Sequence, residues 1–313
     1  MRLGEKMRVG IFANTPAQVH FYRNIINGLE ARGNEICLVA RDYGETIDLL
    51  DETNTSYYMY SKTPRTKYGN ILKAATHLKN ERVEIITGFG IYDAYVSTLL
   101  RIPSVVFTDS EFTINKKTFT SQFCLSEPFT DIFITPQAYE QDLGPKHVRV
   151  NSYKELSYLH PKYYQPNEDI YNLLGISDDE DYVIIRLNAF DAVHDYGING
   201  FDSRAKIQLV NLLKEYGHVF ISAEGAIPKE LEPYLLKTPK NRIHDVLSYA
   251  RLLVTDTQTM ATEAAILGTP TIRCNGFVGT NDMSNFTELE HKYHLMYNYS
   301  NADESIQTAS ELI

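Results

Sequence analysis

The chain has 313 residues, 43% hydrophobic and 22% charged, which is enough apolar material for two cores when single domains cluster near roughly 100 to 150 residues. A formal net charge of -10 argues against broad binding to nucleic acid or anionic membranes, since either needs a basic surface. No apolar run approaches the roughly 20 residues that cross a bilayer, and the opening Met1-Arg2-Leu3-Gly4-Glu5-Lys6 lacks a signal peptide's apolar stretch, so a cytoplasmic protein with small-molecule partners is expected.

Residues 9–13 read as an apolar strand, and a helix is expected from about residue 20 to 31, where Phe21, Ile25, Ile26 and Leu29 recur at helical spacing. Arg32-Gly33 closes that helix with a cation and a left-handed cap, and residues 36–40 form the next strand, parallel to the first. Apolar runs at 83–87, 104–108 and 131–135, alternating with helical stretches at 71–78 and 92–100, continue the parallel pattern. A Tyr- and Pro-rich segment over 153–167 breaks it, which places the linker there and divides the chain into lobes 1–157 and 158–313. The second series runs through a strand at 182–186, a helix at 203–216, strands at 218–222, 252–255 and 271–273, and a last helix at 305–313. The expected fold is therefore α/β, two doubly wound, Rossmann-like lobes in tandem. Cys37, Cys124 and Cys274 lie far apart in or beside apolar segments, as buried free thiols do, and no metal is expected.

In open parallel sheets ligands bind outside the carboxyl ends of the strands, so the candidate residues are those at strand ends. In lobe one the loop 14–20 ends in His20, either a general base for a hydroxyl or a locally bonded helix residue. Asp93, Asp109 and Glu111 follow strands, as proton-transfer groups or as solvated loop charges. Gly88-Phe89-Gly90 lacks the third glycine of the dinucleotide fingerprint, so no nicotinamide cofactor is expected.

In lobe two, Arg186, Asn188, His194 and Asp195 gather at the end of the first strand. A strand arginine there requires either a bound anionic or polar group, such as a diphosphate or a hexose, or an internal ion pair with Asp191 or Asp195. Glu224 ends the next strand, and His244-Asp245 opens a helix, as an N-cap pair or as contacts to base, ribose or sugar. The most informative segment is 252–270, which reads as strand, hydroxyl-rich turn, helix and Gly268 stop. Asp256, Thr257 and Thr259 suit a helix N-cap, and the amides there, carrying roughly +0.5 charge, accept a phosphate. Met260, Ala264 and Leu267 form the helix's core stripe, with Glu263 one turn in.

This segment resembles the donor-binding turn of GT-B glycosyltransferases and non-hydrolysing nucleotide-sugar 2-epimerases, where Asp-Ser-Gly-Gly precedes a helix bearing Glu-Ala and then Leu-Gly-x-Pro. The resemblance implies a UDP-sugar as substrate, Thr257, Gln258 and Thr259 facing its phosphates, and Glu263 on the ribose. Gln258 and Thr259 stand where those families carry glycines, a departure that bears on close backbone approach. Counting back from Arg32-Gly33, Gln18 occupies the position of the histidine base of many inverting GT-B enzymes, with His20 two residues on.

Nearly end to end, the chain is also similar to domain-of-unknown-function family 354, itself thought to be GT-B-like. The likeness rests on Gln18-Val19-His20-Phe21, Ala40-Arg41-Asp42-Tyr43, Tyr153-Lys154-Glu155-Leu156-Ser157-Tyr158-Leu159-His160-Pro161, Val193-His194-Asp195, Ile243-His244-Asp245 and Thr259-Met260-Ala261-Thr262-Glu263-Ala264-Ala265. These resemblances imply two lobes facing a cleft and a glycosyltransferase serving surface or exopolysaccharide synthesis, with a saccharide or lipid-linked acceptor. A nucleotide-sugar epimerase or hydrolase, and a non-catalytic nucleotide-sugar binder, are the alternatives.

Overall fold

A computed structural model describes residues 6–53, 55–61, 67–111, 120, 123–189, 199–279 and 282–313. The chain divides into two compact units, the main part of the first ending at Tyr163 and that of the second running from Tyr164 to Ile313. In the first unit β1 (Arg8–Ala13), β2 (Glu35–Arg41), β3 (Tyr58–Ser61), β4 (Ile85–Gly88), β5 (Ser104–Phe107), β6 (Ile132–Pro136) and β7 (His147–Val150) form a parallel sheet in the order β3-β2-β1-β4-β5-β6-β7. In the second, β8 (Tyr182–Leu187), β9 (His218–Ala223), β10 (Leu252–Thr255), β11 (Thr271–Cys274) and β12 (Met296–Tyr299) pair, again in parallel, as β12-β11-β10-β8-β9.

The central strands are apolar because helices cover both faces. Ile11, Phe12, Val39 and Ile86 are wholly buried in the first unit, as are Ile184, Leu252, Leu253, Val254 and Ile272 in the second. The sequence reading lacks β3, β7 and β12, and each of these is an edge strand. Polar residues interrupt the apolar pattern there, as His147-Val148-Arg149-Val150 and Met296-Tyr297-Asn298-Tyr299 show, whereas the remaining edge strand, β9, keeps the run Val219-Phe220-Ile221 that the sequence reading found.

The first helix spans Pro16–Glu30, beginning four residues before the expected start. Thr15 is its N-cap, accepting from the Gln18 amide at 3.4 Å, and Pro16 supplies a pre-set φ where no amide partner is needed. Gln18 and His20 therefore stand on the first turns of a helix, and the expected loop 14–20 shrinks to its first two residues. At the other end Gly33 has φ 82°, the left-handed cap that Arg32-Gly33 announced. The last helix, Ala302–Leu312, sinks Ile306 and Ala309 into the core that holds Leu209, Ile272 and Cys274. Cys274 is buried, Cys37 half-buried and Cys124 exposed, so the expectation of three buried thiols holds fully only at Cys274 and fails at Cys124. Among the described residues no helix is long and apolar enough to cross a membrane.

Candidate functional site

The carboxyl edge of the second sheet gathers most of the polar side chains singled out in the sequence. Thr255 closes β10, and its Oγ1 lies 2.8 Å from Thr257 Oγ1 while accepting the Thr257 amide at 2.9 Å. This hydroxyl pair folds the turn back on itself, and the helix Thr259–Leu267 starts from it. The N-cap position belongs to Gln258, which makes no side-chain capping bond, so the expectation of Asp256, Thr257 or Thr259 as N-cap does not hold. The Thr255 and Thr257 hydroxyls are spent on the turn, leaving the first-turn amides without a side-chain cap among the described residues. The helix ends on Gly268 at φ 89°, the expected stop.

Asp256 points away from that helix. Its carboxylate accepts the amides of Asn188 at 2.6 Å and Phe201 at 3.3 Å, tying the end of β8 to the segment before the helix Ser203–Leu213. Gly200 passes so close that a Cβ there would lie 2.2 Å from Asp256 Oδ2. Burial raises the Asp256 carboxyl to about 6 against the pull of these amides. Asp256 is thus a bracket between loops, and Asn188 joins it through its backbone.

Arg186, one residue before the end of β8, lies beside Thr255, with NH1 donating to Ser222 Oγ at 2.7 Å and NH2 paired with Glu224. Among the described residues its ion-pair partner is Glu224 of the neighbouring strand end, a pairing the sequence did not point to. The register sets Arg186 directly against Ser222, two residues before Glu224. Asp191, His194 and Asp195 lie outside the described residues.

One turn into the helix, Glu263 Oε1 stands 3.1 Å from His244 Nε2, both side chains buried. His244 and Asp245 do not cap their helix Ile243–Ser248, whose N-cap is Arg242; they sit inside its first turn. Asp245 accepts the Tyr164 hydroxyl at 2.7 Å and the Asn167 amide at 3.1 Å and pairs with Arg242. Met260 packs on the apolar cluster of Ile184, Leu253 and Ala264, a core role.

In the first unit the candidate carboxylates are each engaged. Asp93 is 1% exposed and accepts the Gly90 amide at 3.1 Å, and a Cβ on Gly88 would lie 2.5 Å from its Cγ. Burial lifts its carboxyl to about 7. Glu111 Oε1 accepts the Glu140 amide at 2.8 Å, and Asp109 pairs with Lys154 at 2.5 Å. Gln18 Oε1 accepts the Asn14 amide at 2.7 Å, and Asn14 in turn accepts the Tyr60 hydroxyl at 2.6 Å. His20 is half-buried with its ring 5.4 Å from that of Tyr158.

Sequence reasoning missed Arg273. It is wholly buried on β11, stacked on the Phe286 ring at 3.6 Å and paired with Asp282. Its only signal is a cation inside an otherwise apolar strand, Thr271-Ile272-Arg273-Cys274. Among the described residues no group of three or more His, Cys, Asp or Glu is placed to hold a metal ion.

Two parallel sheets with interleaved helices, the second ending in a turn that feeds a helix N-terminus, make this an α/β protein of the GT-B fold class. The chain belongs to the family described as Protein of unknown function (DUF354), whose model matches residues 7–313. Among solved structures it is similar to the UDP-GlcNAc 2-epimerase of Methanocaldococcus jannaschii, at 16% identity and TM-score 0.69 over 97% of this chain and 92% of that one. The UDP-GlcNAc 2-epimerase of Neisseria meningitidis, solved bound to UDP-GlcNAc, matches at 12% identity and TM-score 0.66 over 98% and 91%. A glycosyltransferase of Rickettsia africae matches at 10% identity and TM-score 0.58 over 98% and 88%. No curated protein matches the sequence.

Proposed function

We propose that the second unit binds a nucleotide-sugar, a UDP-sugar, and that the protein is a glycosyltransferase passing the sugar to a saccharide or lipid-linked acceptor in surface or exopolysaccharide synthesis. The observation that carries the reading is the convergence, at one sheet edge, of Arg186, the Thr255–Thr257 turn, the uncapped first turn of the helix Thr259–Leu267, and Glu263. Amides without a side-chain cap and a guanidinium suit phosphate, and a carboxylate one turn in suits a ribose diol. The fold shared with UDP-GlcNAc 2-epimerases and a glycosyltransferase supports the same ligand class. His20 serves as base on the acceptor hydroxyl, and no metal or cofactor takes part.

A nucleotide-sugar epimerase is the second reading, favoured by the names of the similar structures. Asp93, Asp109 and Glu111, the proton-transfer groups of that reading, hold the Gly90 amide, Lys154 and the Glu140 amide in turn, so each would act from within an existing bond. Thermal stabilisation by a panel of UDP-, GDP-, CMP- and dTDP-sugars, on wild type and on Glu263→Ala, tests the binding. A midpoint shift with one nucleotide, lost in the variant, supports it; no shift with any overturns it. Incubating the bound sugar in heavy water then separates the two enzymes, since only the epimerase incorporates deuterium at the sugar carbon.

A further inference from the structure

The register of the second sheet aligns Asn298, Arg273, Thr255, Arg186 and Ser222 side by side across all five strands, in the last turns of the sheet before the loops. Strand alternation puts them on one face. Ile272 and Cys274 enter the core on one side with Leu209 and Ile306, so Arg273 between them points to the other. That second face is the one covered by the helix Thr259–Leu267, whose Ala264 packs on Ile184 and Leu253. Two guanidinium groups therefore flank Thr255, the residue from which the phosphate-suited turn springs.

Arg273 is 0% exposed, yet only NH2 has an ionic partner, Asp282; Nε and NH1 are buried with no hydrogen-bond partner among the described residues. Arg186 Nε is likewise buried and without a hydrogen-bond partner among the described residues. An incompletely bonded guanidinium in the interior is strongly disfavoured, and a well-packed apolar residue would serve the fold better. The charge is explained if the neighbouring site is occupied by an anion.

We propose that Arg273 is a buried electrostatic support for the phosphate site: its charge, answered in part by Asp282, stabilises a diphosphate at the turn that begins at Thr255, in partnership with Arg186. This rests on the nucleotide-sugar reading of that turn. Arg273 acts through its field from the strand next to Thr255, as a positioning residue, while Arg186 and the first-turn amides of Thr259–Leu267 make the direct contacts. The remaining charge on Asp282 matters in the opposite sense, because it dampens the field of Arg273.

The test is calorimetric binding of inorganic pyrophosphate, UDP and uridine to wild type, Arg273→Met, Arg273→Lys and Asp282→Asn. Arg273→Met is expected to weaken pyrophosphate and UDP by about tenfold or more, a change of ~1.4 kcal/mol, with uridine unaltered. Arg273→Lys, which keeps the charge, retains most of the affinity. Asp282→Asn is expected to lower the midpoint of the ligand-free protein yet to bind pyrophosphate more tightly and show a larger thermal shift, a reversal that a purely structural pair does not produce. If Arg273→Met does not fold, Asp282→Asn carries the decision. Pyrophosphate affinity unchanged in the folded variants overturns the proposal, as does failure of wild type to bind pyrophosphate at all. Wild type that binds pyrophosphate, with the variant pattern above, but binds no nucleotide-sugar leaves the role of Arg273 standing and removes the functional reading alone.

Discussion

His244 Nε2 and Glu263 Oε1 meet at 3.1 Å in the interior of the second unit, joining the short helix Ile243–Ser248 to the helix that follows the Thr255–Thr257 turn. The contact fixes which way the Glu263 carboxylate faces, with the Tyr164 ring standing edge-on to the imidazole at 6.0 Å. Glu263→Ala removes the partner of a buried ring nitrogen and is expected to cost about 1–3 kcal/mol in urea unfolding, while Glu263→Gln costs less because its amide oxygen still reaches His244. Both variants are expected to lose the nucleotide-dependent thermal shift.

Asp93 and Asp256 are both raised above the ordinary aspartate value of 3.8, to about 7 and about 6, by burial. A raised carboxyl binds its proton more tightly in the folded chain than in the unfolded one. The stability it confers is therefore full below about pH 4 and is lost as pH rises through 7 for Asp93 and 6 for Asp256. Asp93→Asn keeps an acceptor for the Gly90 amide without the charge, and is expected to gain on wild type by on the order of 3 kcal/mol between pH 5 and pH 8. Parallel urea titrations at the two pH values measure it; equal differences at both would place the Asp93 pKa near its ordinary value.

Gly200 leaves no room for a methyl group beside the Asp256 carboxylate, 2.2 Å from a Cβ in its position. Gly200→Ala is expected to break the bracket that Asp256 forms with Asn188 and Phe201, lowering stability by about 1–3 kcal/mol. Asp256→Ala in the same background should cost little more, because the two changes disrupt one contact set, and a double-mutant cycle reads that coupling.

His20→Ala is expected to reduce transfer by about a hundred- to ten-thousand-fold while leaving the nucleotide-induced thermal shift intact. Gln18→Ala, in contrast, frees the Asn14 amide that Gln18 Oε1 now accepts at 2.7 Å, and is expected to act on stability. Turnover with a fixed donor and a graded acceptor series measures both.

The parts of the molecule that were legible in the sequence are those buried on both faces. Val254, Ile184 and Ile11 sit in runs whose apolar content alone marks a central parallel strand. The edge strands β3, β7 and β12 carry a weaker signal, and Thr15-Pro16 reads equally as loop or as a cap and first turn, which hides the true start of the first helix. At the candidate site the residue types were visible but their partners were not. The bond between Asp256 and two amides far along the chain, and the pairing of Arg186 with Glu224, depend on which strands neighbour each other. Arg273 was hidden for a related reason: a single cation within four residues carries no periodic signal, and its neighbour Thr255 is brought to it only by strand order.

That strand order also governs how the chain can assemble. Starting from β1, the strands β2 and β3 add outward on one side, and β4 to β7 add outward on the other; in the second sheet β9 extends β8 one way while β10, β11 and β12 extend it the other. Every strand thus joins a free margin of what precedes it, and none has to be threaded between two already paired. A growing polypeptide leaving the ribosome can build each sheet in the order in which its residues are synthesised, with the latest strand at one open margin and β3 or β9 holding the other.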